Sequence, residues 1–436
     1  MTATPWERFD YGPWDDDMVV PQTPPDEATR AARDLPRTLR PVTGEGVLQR
    51  PAYDPAVNHR RLGMRLSEPQ FTDARKGEAW YTARHRALWQ VLAAVAGSEW
   101  AGHLMLRGSM LLRTWYGDAA REPGDLDFVV VPDTWRIDDE RTDTMLDGIA
   151  RAAEARTREA GCPVRIDAAG AVSDEIWTYD RVPGRRLVLP WTAEDDDTPA
   201  GTVQLDFVFN EKLPDPPVPG GDGTDLMTAS RELSLAWKLL WLVTDHHPEA
   251  KDLYDAVLLA EDPGTNLPYE LLHRILLAEG EPCDLHYILV QAAEADWDEY
   301  HKDRPALSDT GMGYLSRLAI ALAPVFAPDE EGVYAPLAAV FAELTSMVRA
   351  ERDEGGAEAV EAWFTRRTLP SVCAVVVARE LLGRTQCTLQ EAADLLVTFR
   401  DTRWGRESHP YLDGWHGNAH ETARRLEAAE AAATVQ

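Results

Sequence analysis

The stretch Asp125-Leu126-Asp127-Phe128-Val129-Val130-Val131 constrains this chain more than any other. It is rich in strand formers, and a strand has a side-chain period of two, so Asp125 and Asp127 project from the same face. Two neighbouring carboxylates repel each other unless a cation lies between them. Hard oxygen ligands of this kind suit magnesium. Upstream, Leu104–Arg107 is a short apolar run that Gly108-Ser109 breaks before an apolar, helix-like Met110–Trp115. Gly108 permits close backbone approach, and the N–H groups that open the following helix can cradle a phosphate. Strand, turn, helix, loop and strand thus join a metal site to a phosphate site, which points to nucleotide chemistry. The combination carries this reading, because solvated strand ends account for most D-x-D pairs and this chain makes acidic clusters freely, as at Asp15–Asp17 and Asp195–Asp197.

Composition limits the setting. The 436 residues suffice for two or three domains, with 44% hydrophobic and 27% charged residues as in soluble globular proteins. No apolar run approaches the roughly 18–20 residues of a membrane span, so no membrane association is expected. Met1–Asp17 is acidic and Pro-interrupted, unlike a secretory leader. Cys162, Cys283, Cys373 and Cys387 are scattered, and free buried thiols in a reducing cytoplasm are expected. A net charge of −30 opposes broad nucleic-acid binding, whose affinity comes largely from phosphate neutralisation. Residues 27–87 run the other way, with 12 Lys/Arg against 7 Asp/Glu, including Arg40, Arg60, Arg61, Arg65 and Arg84. They read either as scattered solvated arginines or as a local basic face beside the site.

Along the chain, residues 1–55 hold nine prolines and read as an irregular arm. Helical periodicity follows over Glu78–Ala96 and Asp138–Glu159. Pro163–Asp167, Glu175–Tyr179, Arg185–Trp191 and Thr202–Asn210 are strand candidates. In the last of these, Val203, Leu205, Phe207 and Phe209 share one face and Asp206 projects from the other. Asp206 is either a solvent-facing residue or a third carboxylate beside Asp125 and Asp127, completing a two-metal cage. Asp167 is a weaker candidate, since Ala and Gly residues follow it. Pro214–Gly223 breaks the composition. Beyond it apolar stripes predict helices over Thr224–Thr244, Glu249–Glu261, Tyr269–Leu277, Leu285–Ala295, Leu307–Val325, Leu337–Ala350, Trp363–Leu382 and Leu389–Phe399, with a charged, alanine-rich tail His420–Ala433. The expected organisation is an arm over 1–55, a core over 56–215 and a helical region over 224–436. Lys238 is the only charge in Leu235–Thr244. It reads as a snorkelling lysine or as a cation for phosphates. Asp252 and Asp255, three apart, share a helix face with each other, close to Lys251.

These residues resemble the polymerase-β-like nucleotidyltransferase superfamily, and within it the AbiEii/AbiGii/MenT nucleotidyltransferase toxins of bacterial toxin–antitoxin and phage-defence systems. The likeness runs over roughly 84–262. It rests on Leu106-Arg107-Gly108-Ser109 with Leu112, on Arg121 and Asp125-Leu126-Asp127, on Pro183-Gly184-Arg185-Arg186-Leu187 leading to Asp206, on a helix with Lys238, and on Lys251-Asp252-Leu253-Tyr254-Asp255. Many toxin relatives carry a serine two positions before the first aspartate, where this chain has Pro123, so no role of that serine transfers.

The resemblance implies an α/β (α+β) fold: a mixed nucleotidyltransferase sheet with flanking helices, plus a mostly α-helical C-terminal domain of which residues 224–262 contribute to the site. It implies a magnesium-dependent enzyme using two ions, with manganese as a substitute, and an NTP as substrate. Asp125, Asp127 and Asp206 would ligate metal, Gly108 and Ser109 would hold the triphosphate, and Lys238 and Arg121 would meet phosphates. Asp252 would organise Lys238 or the acceptor, with Asp255 and Lys251 as accessories. The implied acceptor is the 3′ end of tRNA, the implied partner an antitoxin, and the setting the cytoplasm. Transfer to a protein or small-molecule hydroxyl, automodification, and a non-catalytic nucleotide-binding module are the alternatives.

Overall fold

A computed structural model describes residues 5–9, 14–15, 17–53, 64–176, 182–220, 226–297, 300–301, 307–367, 369–403 and 418–435. Arg60 and Arg61 of the basic stretch, and residues 177–179 of one expected strand, lie outside the described residues. The chain divides into two units, Met1–Ser230 and Arg231–Gln436.

In the first unit the elements, in order, begin with α1 (Glu27–Arg33), β1 (Val47–Leu48), β2 (Pro51–Tyr53), β3 (Met64–Leu66) and β4 (Gln70–Phe71). They continue with α2 (Ala74–Ala96), β5 (Leu104–Arg107), α3 (Ser109–Tyr116), β6 (Asp125–Val130) and α4 (Glu140–Thr157). Strands β7 (Val164–Ile166), β8 (Val172–Ile176), β9 (Gly184–Ala193), β10 (Gly201–Val208), β11 (Val218–Pro219) and β12 (Met227–Thr228) complete it. Among the described residues these build an eight-stranded mixed sheet in the order β11-β12-β5-β6-β10-β9-β7, with β8 also on β9. Strand β6 is central because it is apolar enough to be buried on both sides: it pairs antiparallel with β5 and parallel with β10. One sheet face gathers Leu106, Phe128 and Phe207, the latter two fully buried and stacked with ring centroids 5.5 Å apart. Helices α2 and α4 pack on each other and on the sheet. An α/β sheet with flanking helices is therefore the observed architecture, followed by a helical region.

The described residues among the first 55 include short regular elements between the prolines. Asp26 caps α1 by accepting from the Thr29 N–H at 2.8 Å. Trp6, Phe9, Val20, Leu35, Leu39 and Met64 then form a buried apolar cluster of their own. The prolines punctuate short segments that this cluster holds in place. The sheet also continues past the Pro-rich break. Residues 227–228, expected within a helix, pair in parallel with β5, and the Ala229 N–H donates to the Leu106 carbonyl at 3.0 Å.

The second unit contains α5 (Arg231–Thr244), α6 (Ala250–Ala260), α7 (Tyr269–Ala278), α8 (Leu285–Ala292), α9 (Gly311–Phe326), α10 (Tyr334–Val340), α11 (Ala342–Thr365), α12 (Ser371–Leu382), α13 (Leu389–Arg403) and α14 (Asn418–Val435). Two expected single helices are divided. Trp363–Leu382 breaks before Ser371, where extended Pro370 sits. Leu337–Ala350 breaks at Phe341. Gly356, at φ +66°, kinks α11. All four cysteines are free thiols, and burial pushes Cys283 up to about 11, so it stays protonated at neutral pH. Among the described residues no helix is long and apolar enough to cross a membrane.

Phe207→Ala is expected to lower stability by about 3–5 kcal/mol, because it empties a fully buried stack. Urea unfolding followed by tryptophan fluorescence reads this as a reduced midpoint. A midpoint equal to wild type would contradict the assigned core.

Candidate active site

On the sheet face opposite Phe128 and Phe207, strand register sets a row of charged residues. Arg107 on β5 pairs with Asp127 on β6, Asp127 with Asp206 on β10, and Asp206 with Arg186 on β9. Asp125 is two residues before Asp127 and so shares its face. Carboxylate oxygens of Asp125, Asp127 and Asp206 all lie within 4.8 Å of one another. At that spacing each pair repels by on the order of 3 kcal/mol at an effective dielectric near 20. Asp206 is buried, and Arg186 grips it with a bidentate fork: Nε donates to Oδ1 at 2.8 Å and Nη2 to Oδ2 at 2.7 Å. Gln204 Nε2 adds a third donor at 3.2 Å. At the other end of the row Arg107 donates to Glu211 at 3.0 Å. Three carboxylates brought this close, one buried and two half-buried, make a set of hard oxygen ligands of the kind that suits divalent cations.

The turn before the cluster is tailored to it. Gly108 has φ +80°, and a Cβ there would meet Asp127 Oδ2 at 2.1 Å. No other residue fits without moving the carboxylate. Ser109 opens α3. It is 1% exposed, and its hydroxyl has no hydrogen-bond partner among the described residues. A buried hydroxyl next to the unsatisfied N–H groups of a helix start is what a phosphate would complete. Arg121 lies half-buried in the loop before β6, and Pro123 is buried there. Asp167 does not join the cluster. It is exposed and accepts from the Ala169 N–H at 3.0 Å, closing a turn.

Within the second unit Lys238 on α5 lies between two carboxylates of α6, with Nζ 2.6 Å from Asp252 Oδ1 and 2.9 Å from Asp255 Oδ2. All three side chains are at most 6% exposed. Its ammonium also sits 4.8 Å from the Trp241 ring centroid. Buried charge of this kind persists only when paired, so Asp255 is as much a partner of Lys238 as Asp252 is. Lys251 turns elsewhere, to Glu249 at 2.5 Å.

Sequence reasoning quoted Arg186 but gave it no role. The sequence marks it weakly, because Arg185 stands beside it and period-two alternation puts Leu187 and Leu189 on the face of Arg185, with Val188 on that of Arg186. Gln204 and the Arg107–Glu211 pair carried no comparable mark.

A family model described as nucleotidyl transferase AbiEii toxin, Type IV TA system, matches residues 90–312, just over half of the chain. No curated protein matches the chain. Two solved structures from Helicobacter pylori are similar to it. One, described as a candidate nucleotidyltransferase, has a TM-score of 0.38 and 15% identity and covers 58% of this chain and 98% of its own. The other, JHP933, has a TM-score of 0.37 and 14% identity, covering 57% and 94%.

Removing one partner of a buried ion pair leaves the other uncompensated, at about 3–5 kcal/mol. Asp206→Ala and Lys238→Ala are therefore expected to lower stability, whereas half-exposed Asp125→Ala, which breaks no such pair and relieves carboxylate repulsion, is expected to leave stability unchanged or raise it. Chemical denaturation of the three variants checks the ranking. Equal stability of Asp206→Ala and Asp125→Ala would contradict the structural part given to Arg186.

Proposed function

Because this chain belongs to the AbiEii nucleotidyltransferase toxin family, we propose that it transfers a nucleoside monophosphate from an NTP to the 3′ end of tRNA, with magnesium held by Asp125, Asp127 and Asp206. The observation that carries this reading is the convergence of these three carboxylates beside a glycine-cradled helix start. Magnesium bound there would offset phosphate charge and sharpen the nucleophilicity of the acceptor oxygen.

In the proposed reaction the acceptor 3′-oxygen attacks the α-phosphorus in line. The new P–O bond forms as the bond to the β-phosphate oxygen breaks. Pyrophosphate leaves with that electron pair, and the hydroxyl proton passes to solvent. The protein's work is positioning and charge stabilisation. Gly108 lets the phosphates approach the backbone, Ser109 donates its hydroxyl, and the α3 N–H groups bind oxygens. Asp127 is fixed against Gly108. Asp206 is oriented by the Arg186 fork and the Gln204 amide. Lys238, oriented by Asp252 and Asp255, has the part the resemblance gives it, compensating phosphate charge, with Arg121 as a further phosphate contact. As a toxin the protein would arrest growth by blocking translation, and a cognate antitoxin would restrain it.

Purified protein with magnesium, each labelled NTP in turn and total tRNA tests this. Label on tRNA is expected from one or more NTPs, and label on the protein itself would replace the reading with automodification. Asp127→Ala should abolish transfer while circular dichroism stays unchanged; full activity would overturn the assignment. Gly108→Ala should reduce transfer by about 100-fold, the scale of a displacement near 1 Å at a reacting centre.

A further inference from the structure

The first unit holds a second feature on the β9–β10 side of the carboxylates. It is a cavity of about 110 Å³ whose walls include Arg40, Arg65, Trp80, Arg84, Arg186 and Gln204. Four arginines thus line one small space, two of them already bonded to Asp206 and Glu68, and Glu68 is the only carboxylate on its described walls. Glu68 is already bound to Arg84 at 2.5 Å. Two lining residues carry buried donors with no acceptor among the described residues: Arg40 at Nε–H and Trp80, only 2% exposed, at its indole N–H. Both are donors without acceptor capacity, so the group that would complete the cavity is an acceptor, and among arginines an anionic one.

Position narrows the occupant. Gly124, immediately before Asp125, also lines the cavity, and Arg186 and Gln204 are the two residues that hold Asp206. In the sheet order β5-β6-β10-β9, the Gly108–Ser109 turn follows β5 and the cavity adjoins β10 and β9. The two anion sites therefore flank the carboxylates from opposite sides. If the Gly-Ser turn takes the triphosphate, the arginine cavity is placed for the other substrate. Arg40, Arg65 and Arg84 also precede the matched residues 90–312. A chain of net charge −30 needs a local site of this kind to hold a polyanion.

We propose that the cavity binds a backbone phosphate of the acceptor RNA close to its reacting end, with Arg40 and Arg65 as the binding residues that the N-terminal region adds. The proposal rests on the nucleotidyl-transfer reading for its geometry, but its test needs no turnover.

The probe is a fluorescein-labelled RNA with a tRNA acceptor stem and single-stranded 3′ end, followed by anisotropy from 50 to 200 mM salt. Binding of a non-hydrolysable NTP with magnesium is measured alongside. Arg40→Gln with Arg65→Gln is expected to weaken RNA binding about tenfold and to flatten the log Kd against log salt slope by about 0.7 per lost contact. Arg40→Lys should retain the slope. Thr202→Glu, which adds a carboxylate at the cavity wall and removes no arginine, should weaken RNA binding in the same direction. NTP affinity should stay within about twofold in every variant that keeps the wild-type melting temperature.

Unchanged RNA affinity and slope in both the arginine and Thr202 variants would overturn the proposal. So would a parallel loss of NTP affinity, which would assign the cavity to the triphosphate, or no RNA binding by wild type. Arginine-dependent RNA binding without label transfer would uphold the cavity and sink the transfer reading instead.

Discussion

The first unit depends on how four strands carry charge across one face of a buried sheet. Arg107, Asp127, Asp206 and Arg186 occupy successive strands in register, with two carboxylates adjacent at the centre. A sheet can hold two such neighbours only by surrounding them with compensation. The Arg186 fork supplies it to Asp206. The opposite face offers no alternative, since Phe128 and Phe207 fill it. Slipping any of these strands by one residue would drive carboxylates into the apolar face, so register is tightly specified. The cluster's geometry and the sheet's stability are in this sense one problem.

This coupling explains which parts were legible in the sequence. Asp125 and Asp127 stood out because period-two patterning in so apolar a strand leaves little freedom. Asp206 stood out for the same reason in a strand whose alternate residues are Val203, Leu205, Phe207 and Phe209. The parallel pairing that brings Asp206 opposite Asp127 is a tertiary fact: the sequence offered Asp206 as a third carboxylate or as a solvent-facing residue and could not decide between them. The fork of Arg186 depends on that pairing too. Local pattern failed where long-range contacts decide. Residues 227–228 look helical by composition but complete a sheet edge beside β5. Helices over 337–350 and 363–382 break at Phe341 and Pro370, short interruptions that apolar periodicity runs across. The proline-rich start contains a small core because Trp6, Phe9, Leu35 and Leu39 meet from distant positions.

The charge distribution carries a second lesson. The overall balance of −30 argues against general affinity for nucleic acid, yet the basic residues before Ala87 are not evenly dispersed. Arg40, Arg65 and Arg84 share a cavity with Arg186, within the same unit as the carboxylates. Arginine suits such a place because its fork stays charged and pre-organised when half-buried. The Lys238–Asp252–Asp255 cluster is a separate solution in the second unit, a buried cation balanced by two anions from one helix face. Its burial means that substitutions there read folding as well as chemistry.

The central claim is that Asp125, Asp127 and Asp206 form one divalent-ion site with the triphosphate held at Gly108 and Ser109. Crystals grown with manganese and a non-hydrolysable NTP, measured for anomalous scattering at the manganese edge, test it most directly. The expected result is anomalous density among the three carboxylates, with phosphate oxygens against the Ser109 hydroxyl and the start of α3. An ordered NTP elsewhere, or no manganese at the carboxylates at millimolar concentration, would contradict the account.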